Sequence, residues 1–102
     1  MRILEIVEAW TLSLREVFEI GGVEVAWTHS SPEHANPSFA VNLRRGPIEA
    51  DLIVWDSGHA DLSTMGADGS VTQEHYEDLK TVGDVAGVLA VLARVLPGLG
   101  QN

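Results

Sequence analysis

The sequence predicts an α+β domain: an antiparallel meander sheet of four to five strands with an N-terminal and a C-terminal helix packed on one face, in the order α-β-β-β-β-(β)-α. Three observations carry this. Apolar residues recur at helical spacing only near the two ends, over 3–18 and 85–96. Period-two alternation dominates the stretch between them. Short Gly, Pro, Asp and Ser clusters separate the alternating runs, which suits antiparallel neighbours and leaves no room for crossover helices. With 102 residues, 45% of them apolar, the chain makes one domain, 1–102, of about one helical layer on one sheet.

Ile3, Val7, Trp10, Leu14 and Val17 form the stripe of the first helix, widened by Ile6 and Phe18. Trp10 lies inside that stripe and is assigned to the core. Glu5, Glu8, Glu16 and Glu19 occupy the far side, and Gly21-Gly22 stops the helix. Val23, Val25 and Trp27 then alternate with Glu24, Ala26 and Thr28 as the first strand. Two prolines make 29–38 a loop. The second strand is 38–43, with Phe39, Val41 and Leu43 inward, and Arg44-Arg45-Gly46-Pro47 is read as a turn. The third strand begins at Ile48 and ends in a tight turn at Asp56-Ser57-Gly58. The fourth runs from about Ala60 to Met65, and a fifth, more polar edge strand covers 71–76.

Thr81, followed three residues later by Asp84, resembles a capping box that starts the last helix, and Pro97-Gly98 ends it. Its inward stripe is Val85, Ala86, Leu89, Leu92, Ala93 and Leu96. Val88, Val91 and Val95 fall outside that stripe. Either the two helices lie side by side and cover them, or they form an exposed apolar patch. The tail, 98–102, is expected to fray.

Fifteen acidic against six basic side chains give a net charge of −9. Such a surface repels nucleic acid phosphates and anionic lipid, so neither is an expected partner. A basic partner would be attracted, although acidity also serves solubility alone. The absence of cysteine excludes disulfides, thiolate catalysis and thiolate-bound metals. Acids interrupt the first apolar run, which argues against a signal peptide, and no apolar run reaches membrane-spanning length. A cytoplasmic location is expected.

The third strand has two unlike faces. Ile48, Ala50, Leu52 and Val54 make a core face, whereas Glu49, Asp51, Ile53 and Trp55 set carboxylates beside an isoleucine and a tryptophan. Asp61, Ser63 and Met65 of the next strand share the second face. Protein interfaces concentrate their energy in aromatic anchors with a polar rim. Glu49, Asp51, Ile53, Trp55, Asp56 and Asp61 are therefore the expected partner-binding residues. Burying a tryptophan's roughly 150–250 Å² sets a ceiling of about 4–6 kcal/mol. The competing expectation is that the 29–38 loop or the tail covers Trp55 within the monomer.

Other chemistries find little purchase. His29, His34, His59 and His75, near Glu33, Asp56 and Asp61, lack the helical i, i+4 pairing of a metal-binding helix, so no metal or other cofactor is expected. Ser57 between Asp56 and His59 lacks the nucleophile-elbow pattern, and turn geometry alone accounts for those residues, so no catalytic residue and no enzyme activity is expected. The glycines fit no nucleotide-binding loop. Glu49 and Asp51 on an open face would be solvated and electrostatic in role. A homo-oligomeric accessory domain, with a homodimer through the outer sheet face or the valine patch, is the alternative from another class. A small metal binder or enzyme using His29, His34 and Glu33 is a third.

The chain resembles the TriTu family of bacterial immunity proteins. The likeness lies in the leading helix, Asn36-Pro37-Ser38 opening a strand, the Val54-Trp55-Asp56-Ser57-Gly58-x-x-Asp61 segment and the apolar closing helix. Ser63 stands where the family pattern usually has an acid. The resemblance implies neutralisation of a cognate polymorphic toxin by tight protein–protein binding, with no chemistry by this chain. Immunity proteins often block basic, nuclease-like toxins by imitating phosphate charge, so a basic toxin domain is the implied partner.

Overall fold

A computed structural model of the chain describes residues 3–30, 33 and 35–95, with side chains through residue 91. Its elements run α1 (Ile3–Ile20), β1 (Glu24–His29), β2 (Ser38–Arg45), β3 (Ile48–Trp55), β4 (Ala60–Met65), β5 (Val71–Tyr76) and α2 (Val82–Val95). The strands form one antiparallel sheet in the order β1-β2-β3-β4-β5. The α+β class and the meander are thus as the alternation predicts, with the polar fifth strand present. Among the described residues, no helix is long and apolar enough to cross a membrane.

The core lies between the helices and the inner sheet face. Phe39, Val41 and Leu43 of β2, Ala50, Leu52 and Val54 of β3, and Ala60 and Leu62 of β4 are all buried. Both helices pack on this side, α1 across β1, β2 and β3, and α2 against β3 and α1. Trp10 is half-buried against this core, its ring 5.6 Å from that of Phe18.

The buried stripe of α1 differs from the predicted one at its end. Val7, Thr11 and Phe18 are buried, whereas Val17 is 56% exposed. The predicted residues step by four and three, a mean of 3.5, while a straight helix turns every 3.6. Over two heptads that drift carries position 17 off the face, while Phe18, which widens the predicted stripe, is buried as expected. Thr11 is tolerated there because its hydroxyl donates to the Val7 carbonyl at 2.9 Å. The helix ends in a Schellman motif: Val23 N–H donates to Phe18 O, Gly22 N–H donates to Glu19 O, and Gly22 takes φ 83°.

A similar correction applies to α2. Val85, Val88 and Leu89 are buried and Val91 packs on the core, while Ala86 is exposed. The inward face is rotated toward Val88 because α1 lies alongside it, so side-by-side helices cover this part of the valine set. The expectations for the side chains of Leu92, Ala93 and Val95, for Leu96, for Pro97-Gly98 and for the tail 98–102 lie outside the described residues. Arg44 and Arg45, assigned to a turn, instead finish β2, opposite Glu49 and Ile48; the turn itself is Gly46-Pro47.

The capping box at the start of α2 is complete. Asp84 N–H donates to Thr81 Oγ1, and the Asp84 carboxylate accepts from the backbone N–H groups of Lys80 and Thr81. Those backbone donors, Lys80 first, hold the Asp84 carboxyl below its ordinary range. A carboxyl lowered in the folded state stabilises the fold above its unfolded value of about 4, and that stabilisation is lost as pH falls through the lower, folded value. Melting temperature is therefore expected to fall on acidification below about pH 4, and the Asp84→Asn variant to show a smaller fall. Equal acid sensitivity of the two proteins in a thermal melt would remove this role.

One glycine ties the site end of the sheet to the segment before α2. Gly58, in the β3–β4 connection, has φ 95°, and Leu79 N–H donates to its carbonyl at 2.9 Å. A Cβ here would stand 3.0 Å from the Leu79 carbonyl oxygen. Strain and crowding by backbone act together, so Gly58→Ala is expected to cost about 1–3 kcal/mol in a denaturant melt. A neutral result would mean that the turn can be rebuilt at no cost.

Candidate functional site

The outer face of the sheet carries no helix among the described residues. The alternation that buries Leu52 and Val54 necessarily turns Glu49, Asp51, Ile53 and Trp55 to this side. Register then sets Asp61 opposite Ile53, Ser63 opposite Asp51, and Met65 opposite Glu49. On the other flank, Ala40 lies opposite Ile53, Asn42 opposite Asp51 and Ser38 opposite Trp55. Five of the six expected site residues therefore share one surface. The sixth, Asp56, is half-buried in the turn beyond Trp55, its N–H donating to the Pro37 carbonyl at 2.8 Å.

Ile53 and Trp55 are each half-buried on this face. The described end of the 29–38 loop is anchored at the turn beyond Trp55; the expectation that this loop or the tail covers Trp55 falls in part on residues outside those described. Asn36 Nδ2 donates to Ser57 Oγ at 3.1 Å, and Ser57 N–H donates to Asn36 Oδ1 at 3.1 Å. At the β1 side, the small side chains of Ala26 and Ala40 leave an open depression of about 330 Å³, bounded also by Thr28, Asn42, Ile53 and Asp61. An open concavity of this kind takes a side chain presented by another surface more readily than it encloses a small ligand.

The carboxylates are organised in two groups. Asn42 Nδ2 donates to Glu49 Oε2 at 2.8 Å and to Asp51 Oδ1 at 2.6 Å, so one amide holds both acids along the strand. Asp61 Oδ1 lies 2.5 Å from His75 Nδ1 on β5, and Glu77 Oε1 lies 3.5 Å from His75 Nε2. The hydrogen bond to Asp61 raises the His75 pKa above its ordinary value, against a smaller lowering from desolvation. Arg44, on the same face, donates to Glu24 Oε2 at 2.9 Å, and that bond raises its pKa further. An arginine at that edge is thus committed to an acid of this chain.

The alternative metal-binding reading used His29, His34 and Glu33. His29 leaves its loop to finish β1, with Nε2 3.0 Å from Glu8 Oε2 on α1 and its ring edge-on to Phe39 at 5.0 Å. His34 lies outside the described residues. Ser57 bonds to Asn36, and nothing described there activates its hydroxyl.

Sequence reasoning missed Asn42 and His75 as members of this face. Asn42 alternates with Val41 and Leu43, so its side was legible; that it bridges two acids depends on register, which one strand does not reveal. No family model, curated protein or solved structure matches the chain.

Proposed function

We propose that this chain is an immunity protein that neutralises a cognate bacterial toxin by binding it through the outer sheet face. The observation that carries the proposal is the position of Ile53 and Trp55 on the helix-free face, flanked by Glu49, Asp51 and Asp61. Two apolar anchors supply contact area, and a rim of carboxylates favours encounter with a basic partner and pairs with its Lys or Arg side chains. The net charge of −9 acts in the same direction at longer range. The resemblance of the 54–61 segment to the TriTu immunity proteins supports the same reading. Binding alone blocks the toxin, and no chemistry by this chain is required.

The test begins with the neighbouring genes. A secreted protein with a toxin-like C-terminal domain is expected immediately upstream. That domain should arrest growth when produced inside a bacterial cell, and co-production of this chain should restore growth and yield a stable complex on sizing. Continued arrest, with no complex formed by the purified proteins, would overturn the proposal.

A further inference from the structure

At the Trp55 end of the outer face, β4 and β5 bring together three side chains that the docking proposal does not use. His59 ends the β3–β4 connection, His75 lies on β5, and Glu77 follows β5. One nitrogen or oxygen from each lies within 4.8 Å of the other two. The imidazole rings stand 5.6 Å apart between centroids.

The two ring nitrogens of His75 have different surroundings. Nδ1 meets Asp61 Oδ1 at 2.5 Å, and Nε2 faces Glu77 Oε1 at 3.5 Å. A neutral histidine that donates Nδ1–H to a carboxylate presents a lone pair at Nε2. Nε2 faces the Glu77 carboxylate, and the His59 ring closes the third side. With carboxylates at both nitrogens, Nε2 holds either a proton donated to Glu77 or a metal ion in that proton's place. A carboxylate behind one nitrogen and a metal before the other is the usual setting of a ligating histidine.

We propose that His59, His75 and Glu77 form a binding site for a divalent ion of the zinc class, with Asp61 as the positioning residue behind His75. Two imidazoles and one carboxylate suit Zn²⁺ and its first-row neighbours, whereas Mg²⁺ and Ca²⁺ require oxygen-rich sets. Ligand atoms around a tetrahedral zinc lie roughly 3.3–3.4 Å apart, given bonds of about 2.0–2.1 Å. Modest rotations of surface side chains close the remaining gap. Water completes the fourth position. The site would staple β5, whose residues 71–75 are all exposed, to the connection that carries Gly58. It requires no toxin, and it shares only Asp61 with the docking proposal.

The experiment uses the full chain stripped of metal by chelation. Calorimetric titration with zinc chloride is expected to show one equivalent bound, with a rise in melting temperature and slower hydrogen exchange along β5. Magnesium at the same concentration should produce neither effect. His75→Ala and Glu77→Gln should each abolish binding, and Asp61→Asn should weaken it about tenfold or more. His29→Ala, which removes the histidine beside Glu8, should leave it unchanged. All four positions are on the surface, and circular dichroism confirms that each variant is folded. No binding at millimolar zinc, binding that survives His75→Ala, or binding lost with His29→Ala would each overturn the site.

Discussion

Replacing Trp55 by alanine is expected to weaken the complex with the toxin domain by about 2 kcal/mol or more, roughly thirtyfold in Kd, while the free protein keeps its fold. The expectation rests on location. The indole stands on the sheet face opposite the helices, so its removal opens no void in the packed layer. Ile53→Ala should act in the same direction with a smaller effect, because it offers less area. Charge reversal at Asp51 or Asp61 should instead slow association and reduce its dependence on salt. Two measurements together decide the matter: a binding titration and a thermal melt on the same Trp55→Ala protein. An unfolded variant would assign Trp55 to the core, and full affinity in a folded variant would remove it from the interface.

Phe39→Ala is expected to cost about 3–5 kcal/mol of folding free energy. Phe39 is 1% exposed, sits on β2 beneath the helical layer, and takes the His29 ring against its own. A domain of this size has about 5–15 kcal/mol in total, so this single change removes a large part of it. Leu12→Ala is the natural control: Leu12 is 50% exposed on the outer side of α1, and its loss should stay within about 0.5 kcal/mol. Chemical denaturation of both variants provides the comparison. A loss below about 1 kcal/mol at Phe39 would mean that the helices close over the gap.

The strands were legible because alternation is enforced by geometry. In β2, β3 and β4 every residue between helix and sheet must be apolar or paired, and Phe39, Leu52 and Leu62 declare that side without ambiguity. The helical faces were less legible. Val17 and Phe18 are equally apolar, and which of them turns inward depends on accumulated twist and on what lies opposite. Ala86 is small enough to tolerate either side, so its neighbours α1 and β3 decide. The composition of the outer face could be read from β3 alone. Its cross-strand partners could not, since Asn42 reaches Glu49 and Asp51, and His75 reaches Asp61, only once register is set. The histidines show the same limit. His29 opens a loop and His59 follows a turn, yet one is drawn to a helix acid and the other to β5.

The unbroken strand order has a kinetic corollary. Each strand pairs with the one made just before it, through connections as short as Gly46-Pro47. Ring closure along the backbone is then cheap at every step, and the ribbon can zip outward from the β2–β3 hairpin in microseconds. The packing of the two helices on the sheet and on each other is what joins segments distant in sequence. Refolding should accordingly be limited by that late encounter, with amide protection in the hairpins arriving before protection in α2.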